Sequence, residues 1–476
     1  MEKSRNKTLL KNTFIISIGK IGTSAISFFL LPLYTKILSP EEYGTHDLIS
    51  TIQTILGICF GLQLANCIYR FLIDSRGDGE KTRKILTNVL FINFISSVIL
   101  LLLFIAVFFI IKPTYCWYLL ALVFVSNLFA ILQDTLRGLD KYGEFALFGF
   151  IQTLILLVSN VLLVLIYKKS VRGLLISSIL SQLVVVLVIM FRLKIWKKIS
   201  LRLIDFDLIK QLLSYSLPLV PNELSWWVIK GSDRVIISSM LSVTVNGIVS
   251  VAHKFPSVFI MFYNYFNVSW TETVILHLKD DDHEQYISNV INKVLYLTFG
   301  IGFGIIAVMP FIFKIFINEQ YAEAYYQIPI YMIATLFNIL VGLTSCLYIA
   351  NKNTKKVAIT SFAAAIINIV VNLGTIKFIG IYAASISSLL AFCFLALYRI
   401  YDTRKYCKVT YDKRFILISV LCLVIILLTY YLRKTIFCVA SLFGVIIFFI
   451  YYNKNLFLKL LPVKRKSTEG DEKHEH

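Results

Sequence analysis

Apolar runs of helix length recur along this chain from Phe14 to Tyr452, divided by short polar or charged breaks. A run of 18 or more such residues crosses a hydrocarbon core about 30 Å thick as a helix. The runs lack the roughly ten-residue alternation of a membrane barrel. Fourteen helical spans are predicted, over 12–35, 47–69, 86–111, 117–137, 145–167, 172–191, 212–238, 246–276, 287–317, 327–350, 357–378, 380–400, 415–432 and 435–452. Composition agrees, with 58% hydrophobic and only 16% charged residues. Soluble domains carry about 25% charged residues. A chain of 476 residues with this excess has no water-soluble fold to hide it in. A soluble enzyme, a secreted disulfide scaffold and a disordered chain are excluded. The expectation is an all-α polytopic membrane protein.

Lys and Arg placement sets the orientation. With the tail bearing Lys3, Arg5, Lys7 and Lys11 in the cytoplasm, 33 of the 47 basic residues fall on the cytoplasmic side and 9 on the other. Both termini are therefore expected in the cytoplasm. The net charge of +20 is spread over many loops with no folded module to present it to nucleic acid, so topology and anionic lipid heads account for it. The first apolar run is too long for a signal-peptide core and continues into Tyr34-Thr35-Lys36, which predicts a signal anchor. The eight cysteines form no close-spaced pair and no cluster with His, so metal and redox chemistry find no foothold.

An internal repeat shows at an offset of 203, where Leu9-Leu10 aligns with Leu212-Leu213, Leu38-Ser39 with Leu241-Ser242, and Gly44 with Gly247. A second window, at offset 207, aligns Gly173 with Gly380, Ser178-Ile179 with Ser385-Ile386, Ser181 with Ser388, and Arg192 with Arg399. Six spans per half give both halves the same orientation, a parallel repeat of the kind that carries substrate between its halves. The predicted organisation is a basic tail (1–11), a first lobe (12–192), a linker (193–211), a second lobe (212–401), a loop (402–414), two extra spans (415–452) and a tail (453–476). The two six-helix lobes are related by a pseudo-two-fold axis around a central cavity.

Ionisable groups at mid-membrane cost about 2.5–3.5 kcal/mol on insertion scales and normally face a cavity or a partner. The seventh span carries Glu223, Lys230, Asp233 and Arg234, which with Trp226 and Trp227 follow helical spacing along one face. Pro218 and Pro221 should kink the helix one turn earlier. Lys20 lies in the first span near Thr23, Ser24 and Ser27, while Lys254 and Glu272 lie in the eighth. Two arrangements satisfy these residues. In one, Glu223–Lys230 and Asp233–Arg234 neutralise each other in a polar seam. In the other, a cationic surplus lines a wet cavity for an anionic ligand. Lys20, Lys230, Arg234 and Lys254 outnumber Glu223 and Asp233, which favours the cavity.

Other motifs carry less. Gly300-Ile301-Gly302-Phe303-Gly304 lies inside a span and reads as helix packing. Asp280-Asp281-Asp282, between His277 and His283, reads as a solvated turn. Arg70 with Asp74 and Asp134 with Arg137 should anchor helix ends. No nucleophile–base arrangement emerges, so no catalytic residues are assigned.

Leu30-Leu31-Pro32-Leu33-Tyr34-Thr35-Lys36-Ile37-Leu38-Ser39-Pro40-Glu41-Glu42-Tyr43-Gly44 resembles the first-span signature of bacterial oligosaccharide-repeat flippases. These are polysaccharide transporters of the multidrug/oligosaccharidyl-lipid/polysaccharide exporter superfamily. Further resemblances lie in Leu213–Pro221, Lys230-Gly231-Ser232-Asp233-Arg234, Asn246-Gly247-Ile248 and Ala252-His253-Lys254. Asn368, Asn372 and Phe378-Ile379-Gly380-Ile381-Tyr382-Ala383-Ala384 resemble the family's eleventh-to-twelfth-span turn, which often reads Gly-Ala-Ala where Tyr382-Ala383-Ala384 stands. Lipid II flippases use several arginines in their first half, where this chain offers chiefly Lys20.

The resemblance implies a non-enzymatic flippase of the bacterial cytoplasmic membrane. It would move a polyprenyl-diphosphate-linked oligosaccharide from the inner to the outer leaflet for capsule, O-antigen or similar polysaccharide, by alternating access. Lys20, Lys230, Arg234 and Lys254 would bind the diphosphate, and Trp226 and Trp227 would stack on sugars. Glu223, Asp233 and Glu272 would be charge partners or coupling groups. No cofactor is implied beyond H+ or Na+ coupling or the membrane potential. Implied partners are the polysaccharide polymerase and chain-length machinery. The competing expectations are a multidrug or small-cation exporter and a membrane-embedded glycan polymerase or ligase.

Overall fold

The computed structural model describes residues 30–112, 114–278, 280–351 and 353–460, and among them every regular element is helical. A short helix α1 (Leu31–Ile37) ends at Leu38, and α2 (Pro40–Gly61) follows at once. The start of α2 explains the Ser39-Pro40-Glu41-Glu42 run. Ser39 Oγ accepts from the Glu42 amide at 3.2 Å, while Glu42 Oε2 accepts from the Ser39 amide at 2.9 Å. This is a capping box with Pro40 in the first turn, where a missing N–H costs nothing. Leu62 and Gln63 then take left-handed conformations (φ 48° and 54°), and α3 (Leu64–Asp74) leaves at a 46° bend.

The chain continues through α4 (Gly79–Ile111), α5 (Cys116–Gly138), α6 (Tyr142–Asn160, extended by a π turn over Val161–Ile166) and α7 (Ser170–Leu193). Next come α8 (Phe206–Ser216), α9 (Leu219–Met240), α10 (Val243–His277) and α11 (His283–Phe316). The last five are α12 (Ala324–Ala350), α13 (Thr354–Ile379), α14 (Tyr382–Asp402), α15 (Lys413–Leu432) and α16 (Thr435–Leu460). Eleven of the described helices are long and apolar enough to cross a membrane, or twelve if the bent pair α2 and α3 is one span. The predicted seventh span is α8 plus α9, broken at Leu217-Pro218 where the prolines predicted a kink. Its charged residues make α9 too polar to count by composition alone. Most of the predicted first span, with Lys20, Thr23, Ser24 and Ser27, lies outside the described residues.

Large apolar side chains project outward: Phe378 is 86% exposed, Ile436 81% and Ile110 80%. Apolar surface on this scale belongs against lipid rather than water. The protein is a multi-pass membrane protein.

The helices group into two compact units, one reaching Leu276 and resuming over Ile312–Tyr406, the other built from His277–Phe311 and the chain from Cys407. In the first, Leu64, Ile68 and Leu72 of α3 pack with Ile85 and Val89 of α4, Ile131 of α5 and Leu212 of α8. A neighbouring cluster joins Leu132 and Leu136 of α5 to Phe148 of α6 and Val185 and Ile189 of α7. In the second unit, Tyr296 and Phe415 rings lie 4.6 Å apart, and Tyr452 lies 4.9 Å from Phe415. Gly300 faces the Phe449 ring, where a Cβ would come within 2.4 Å, so this glycine serves helix packing as expected, whereas Gly304 has nothing within 4 Å. Asp412 caps α15 and accepts from the Tyr296 hydroxyl at 2.8 Å. That bond and the cap hold its carboxyl below the usual range.

The smaller motifs sit where the sequence put them. Arg70–Asp74 and Arg137–Asp134 pair at 2.7 Å near the ends of α3 and α5. Asp280 takes His277 at 2.7 Å in the turn between α10 and α11, and no metal-binding cluster exists among the described residues. All eight cysteines are free thiols.

Candidate functional site

Two glycines, equivalent in the repeat, bring the halves of the sequence together. A Cβ on Gly44 of α2 would sit 2.0 Å from the Val243 carbonyl oxygen of α10. A Cβ on Gly247 of α10 would sit 1.9 Å from the Pro40 carbonyl oxygen of α2. Pro40 and Val243 are themselves related by the same offset of 203, so these contacts are reciprocal about a local two-fold axis. Asn246 Nδ2 adds a hydrogen bond to the Gly44 carbonyl at 3.1 Å.

One turn beyond Gly44, Asp47 points across this crossing. Its Oδ2 accepts from Arg234 Nε of α9 at 2.8 Å and from Ser250 Oγ of α10 at 2.6 Å. Ser250 is the repeat equivalent of Asp47. Lys254 and His46 also lie within electrostatic range of this carboxylate. Arg234 thus finds its counter-ion on another helix, which corrects the expected Asp233–Arg234 pair. Adjacent residues on a helix project about 100° apart and do not face one another.

Asp233 turns the other way and is buried. Its Oδ1 accepts from Asn372 Nδ2 at 2.8 Å and its Oδ2 from Ser388 Oγ at 3.1 Å. These bonds tie α9 to α13 and α14. The side-chain oxygens of Asn368 and Asn372 have no hydrogen-bond partner among the described residues. The motif asparagines therefore turn their amide N–H groups towards a buried carboxylate.

A cavity of about 730 Å³ opens beside these groups, within the range of ligand pockets. Its lining comes from α9, α10, α12, α13 and α14, and includes Glu223, Trp226, Asp233, Arg234, His253 and Arg399. Amides and hydroxyls of Asn264, Asn267, Asn338 and Ser345 complete a surface far more polar than the outside of the bundle. Trp226 and Trp227 part company here. Trp226 lines the cavity, whereas Trp227 Nε1 donates to the Thr51 carbonyl of α2 at 3.2 Å. Glu223 lines the cavity and pairs with no cation at ion-pair distance among the described residues; the predicted Glu223–Lys230 pair falls on a side chain outside them. Lys230 belongs to α9 by its backbone, but its side chain lies outside the described residues. Lys254 is half-buried beside the Asp47 network and is not on the cavity wall. Glu272 is exposed on α10 and also stands apart from the cavity, which corrects its expected place with the other charges.

The sequence does not mark Asp47, Ser250, His253 and Arg399 as site residues, although Arg399 stands in the repeat and His253 in the Ala252-His253-Lys254 motif. Asp47 had a signal, since it lies three residues after the glycine that the repeat singles out. Arg399 is 1% exposed near the end of α14, where its position beside Asp402 and Arg404 gives it the look of a loop cation.

The sequence profile of the polysaccharide biosynthesis protein family matches residues 9–271. No curated protein sequence matches the chain. In fold the chain is similar to a lipid II flippase MurJ in its inward closed conformation, with TM-score 0.66 and 16% identity over 94% of this chain and 99% of that one. It is equally similar to an inward-facing multidrug resistance MATE family transporter of the MOP superfamily, with TM-score 0.66 and 13% identity over 82% of this chain and 95% of that one. The outward-facing form of a transporter of that description gives TM-score 0.56 at 13% identity, over 83% and 95%. These likenesses establish the architecture, and the profile spans more than half of the sequence. The chain belongs to the polysaccharide biosynthesis protein family.

Proposed function

We propose that this protein is a flippase, not an enzyme, that moves polyprenyl-diphosphate-linked oligosaccharide repeat units from the inner to the outer leaflet of the bacterial cytoplasmic membrane. Its product would feed capsule, O-antigen or a similar surface polysaccharide, in concert with polymerase and chain-length machinery. The observation that carries this reading is the polar, cation-bearing cavity inside a bundle whose outer face is apolar. Each unpaired sugar hydroxyl in hydrocarbon costs several kcal/mol, so a glycan needs such a wet passage while its lipid tail stays in the bilayer. Trp226 offers a stacking face and Arg234 a cation on the cavity wall, with Lys254 acting from behind that wall and Lys230 and Lys20 as further cations for the diphosphate. Trp227, bonded to α2, positions α9 instead of touching sugar.

Energy for the step has two sources. Two negative charges leaving a cell held at 100 mV, negative inside, move downhill by about 4–5 kcal/mol. Asp233, with Asn368, Asn372 and Ser388 around it, is the group on which a coupling H+ or Na+ would act. Both termini lie in the cytoplasm in this scheme. The equal fold likeness to a multidrug transporter favours a second reading, an exporter of small cations.

Complementation of a repeat-unit flippase null separates the two. Wild type should restore surface glycan, whereas Trp226→Ala and Lys254→Ala, checked for membrane level by immunoblot, should restore it at least tenfold less efficiently. Drug resistance conferred without any surface glycan, across several glycan backgrounds, would instead establish the exporter.

A further inference from the structure

Two arginines reach the cavity, and their charges are met in different ways. Arg234 has the Asp47 carboxylate at 2.8 Å. Arg399 is 1% exposed, yet no carboxylate lies within ion-pair distance of it among the described residues. Its Nε and Nη2 donate to Thr360 Oγ1 at 3.2 and 2.9 Å, and Nη2 also to Ser361 Oγ at 2.9 Å and the Val357 carbonyl at 3.1 Å. Nη1 donates to Ser345 Oγ. Every one of these acceptors is neutral.

The nearby carboxylate is already committed. Asp402 takes Lys356 at 2.8 Å, Lys405 at 2.9 Å and the Tyr348 hydroxyl at 2.7 Å. Its ion pairs go to Lys356 and Lys405, and none is made with Arg399. A buried guanidinium without a counter-ion is costly, and the carbonyl end of α14 offsets only part of that cost. Ser345 and Ser361 accept from Arg399; Ser345 gives its own proton to the Val341 carbonyl, whereas Ser361 keeps its proton to give away. Arg399, Ser345 and Val357 lie on the wall of the same cavity as Arg234 and Trp226.

We propose that Arg399, with the Ser361 hydroxyl beside it, is an anion site at the wall of this cavity that takes a phosphate group of the substrate's diphosphate. The identity of that substrate rests on the flippase reading above, but the site itself does not. Arg234, already paired with Asp47, then meets the diphosphate with its charge largely offset, and Arg399 adds the charge that selects an anionic headgroup. A guanidinium with a hydroxyl donor beside it suits phosphate oxygens and gives a cation nothing.

The test uses the full chain, purified in detergent and titrated with inorganic pyrophosphate at constant ionic strength, with thermal unfolding as the readout. Wild type should be stabilised in a saturable way. Arg399→Gln should weaken the apparent affinity about tenfold or more, Arg399→Lys by less, and Lys405→Gln hardly at all. Should Arg399→Gln fail to fold, Ser361→Ala keeps the charge and should still weaken pyrophosphate several-fold, which a purely structural staple would not do. Equal pyrophosphate affinity in wild type and these variants overturns the site. Nanodiscs of phosphatidylglycerol or phosphatidylcholine distinguish the source of phosphate. Stabilisation by phosphatidylglycerol that depends on Arg399 and resists pyrophosphate would assign the site to bulk lipid and overturn the substrate role. Pyrophosphate binding without complementation would leave the anion site standing and remove the flippase reading. Complementation by Arg399→Gln at the wild-type level would do the reverse.

Discussion

Asp47→Ala is expected to lower the stability of the folded chain by about 3 kcal/mol and to abolish transport. That is the low end for breaking a buried ion pair, because the Arg234 and Asp47 side chains keep 20% and 19% exposure. Most of the loss comes from the guanidinium left behind beside Lys254, not from the missing carboxylate itself. Asp47→Asn keeps an acceptor for Ser250 and should lose less. Removing both partners, in Asp47→Ala/Arg234→Ala, should recover about 1–3 kcal/mol relative to the sum of the single losses. Thermal unfolding in detergent reads all four corners of this cycle. Strictly additive losses would mean that the two side chains do not act together.

The second large effect concerns the crossing of α2 and α10. Alanine at Gly44 or Gly247 puts a methyl group within 2.0 or 1.9 Å of a backbone carbonyl oxygen. No rotamer change relieves a clash with backbone, so the helices must separate. A loss near the top of the 1–3 kcal/mol seen for overpacking is expected at either site, about 3 kcal/mol. Gly374, in α13, has nothing within 4 Å of its would-be Cβ, and Gly374→Ala should be neutral or slightly stabilising. Membrane levels and unfolding temperatures of the three variants check this. A tolerated alanine at both Gly44 and Gly247 would contradict the close crossing.

Much of this architecture was legible because bilayer thickness converts apolar run length into spans. Ser39-Pro40-Glu41-Glu42 was recognisable as a motif before its role as a helix cap was visible. The repeat, found from a few matched residues, placed Gly44 opposite Gly247, and the chain brings those two backbones into contact.

The charges were read less well, for two physical reasons. Helical spacing gathers residues onto a broad face but does not say which neighbours point together. Asp233 and Arg234 diverge to α13 and α2, as do Trp226 and Trp227 to the cavity and α2. Partners far apart in sequence are also invisible to spacing. Arg234 answers Asp47, 187 positions away, and Arg399 is surrounded by hydroxyls from two other helices. A membrane-buried charge can be spotted from sequence by its cost, but its counter-ion is a property of the packed bundle.

The most direct measurement of the central claim is flipping in proteoliposomes. A polyprenyl-diphosphate-linked oligosaccharide with a fluorescent sugar is incorporated, and its loss from one leaflet is followed by a membrane-impermeant quencher. The reconstituted chain should speed transfer well above protein-free vesicles. A potential, negative on the side from which the diphosphate departs, should speed it further. Transfer no faster than in protein-free vesicles, from chain shown to be folded and inserted, would contradict the account.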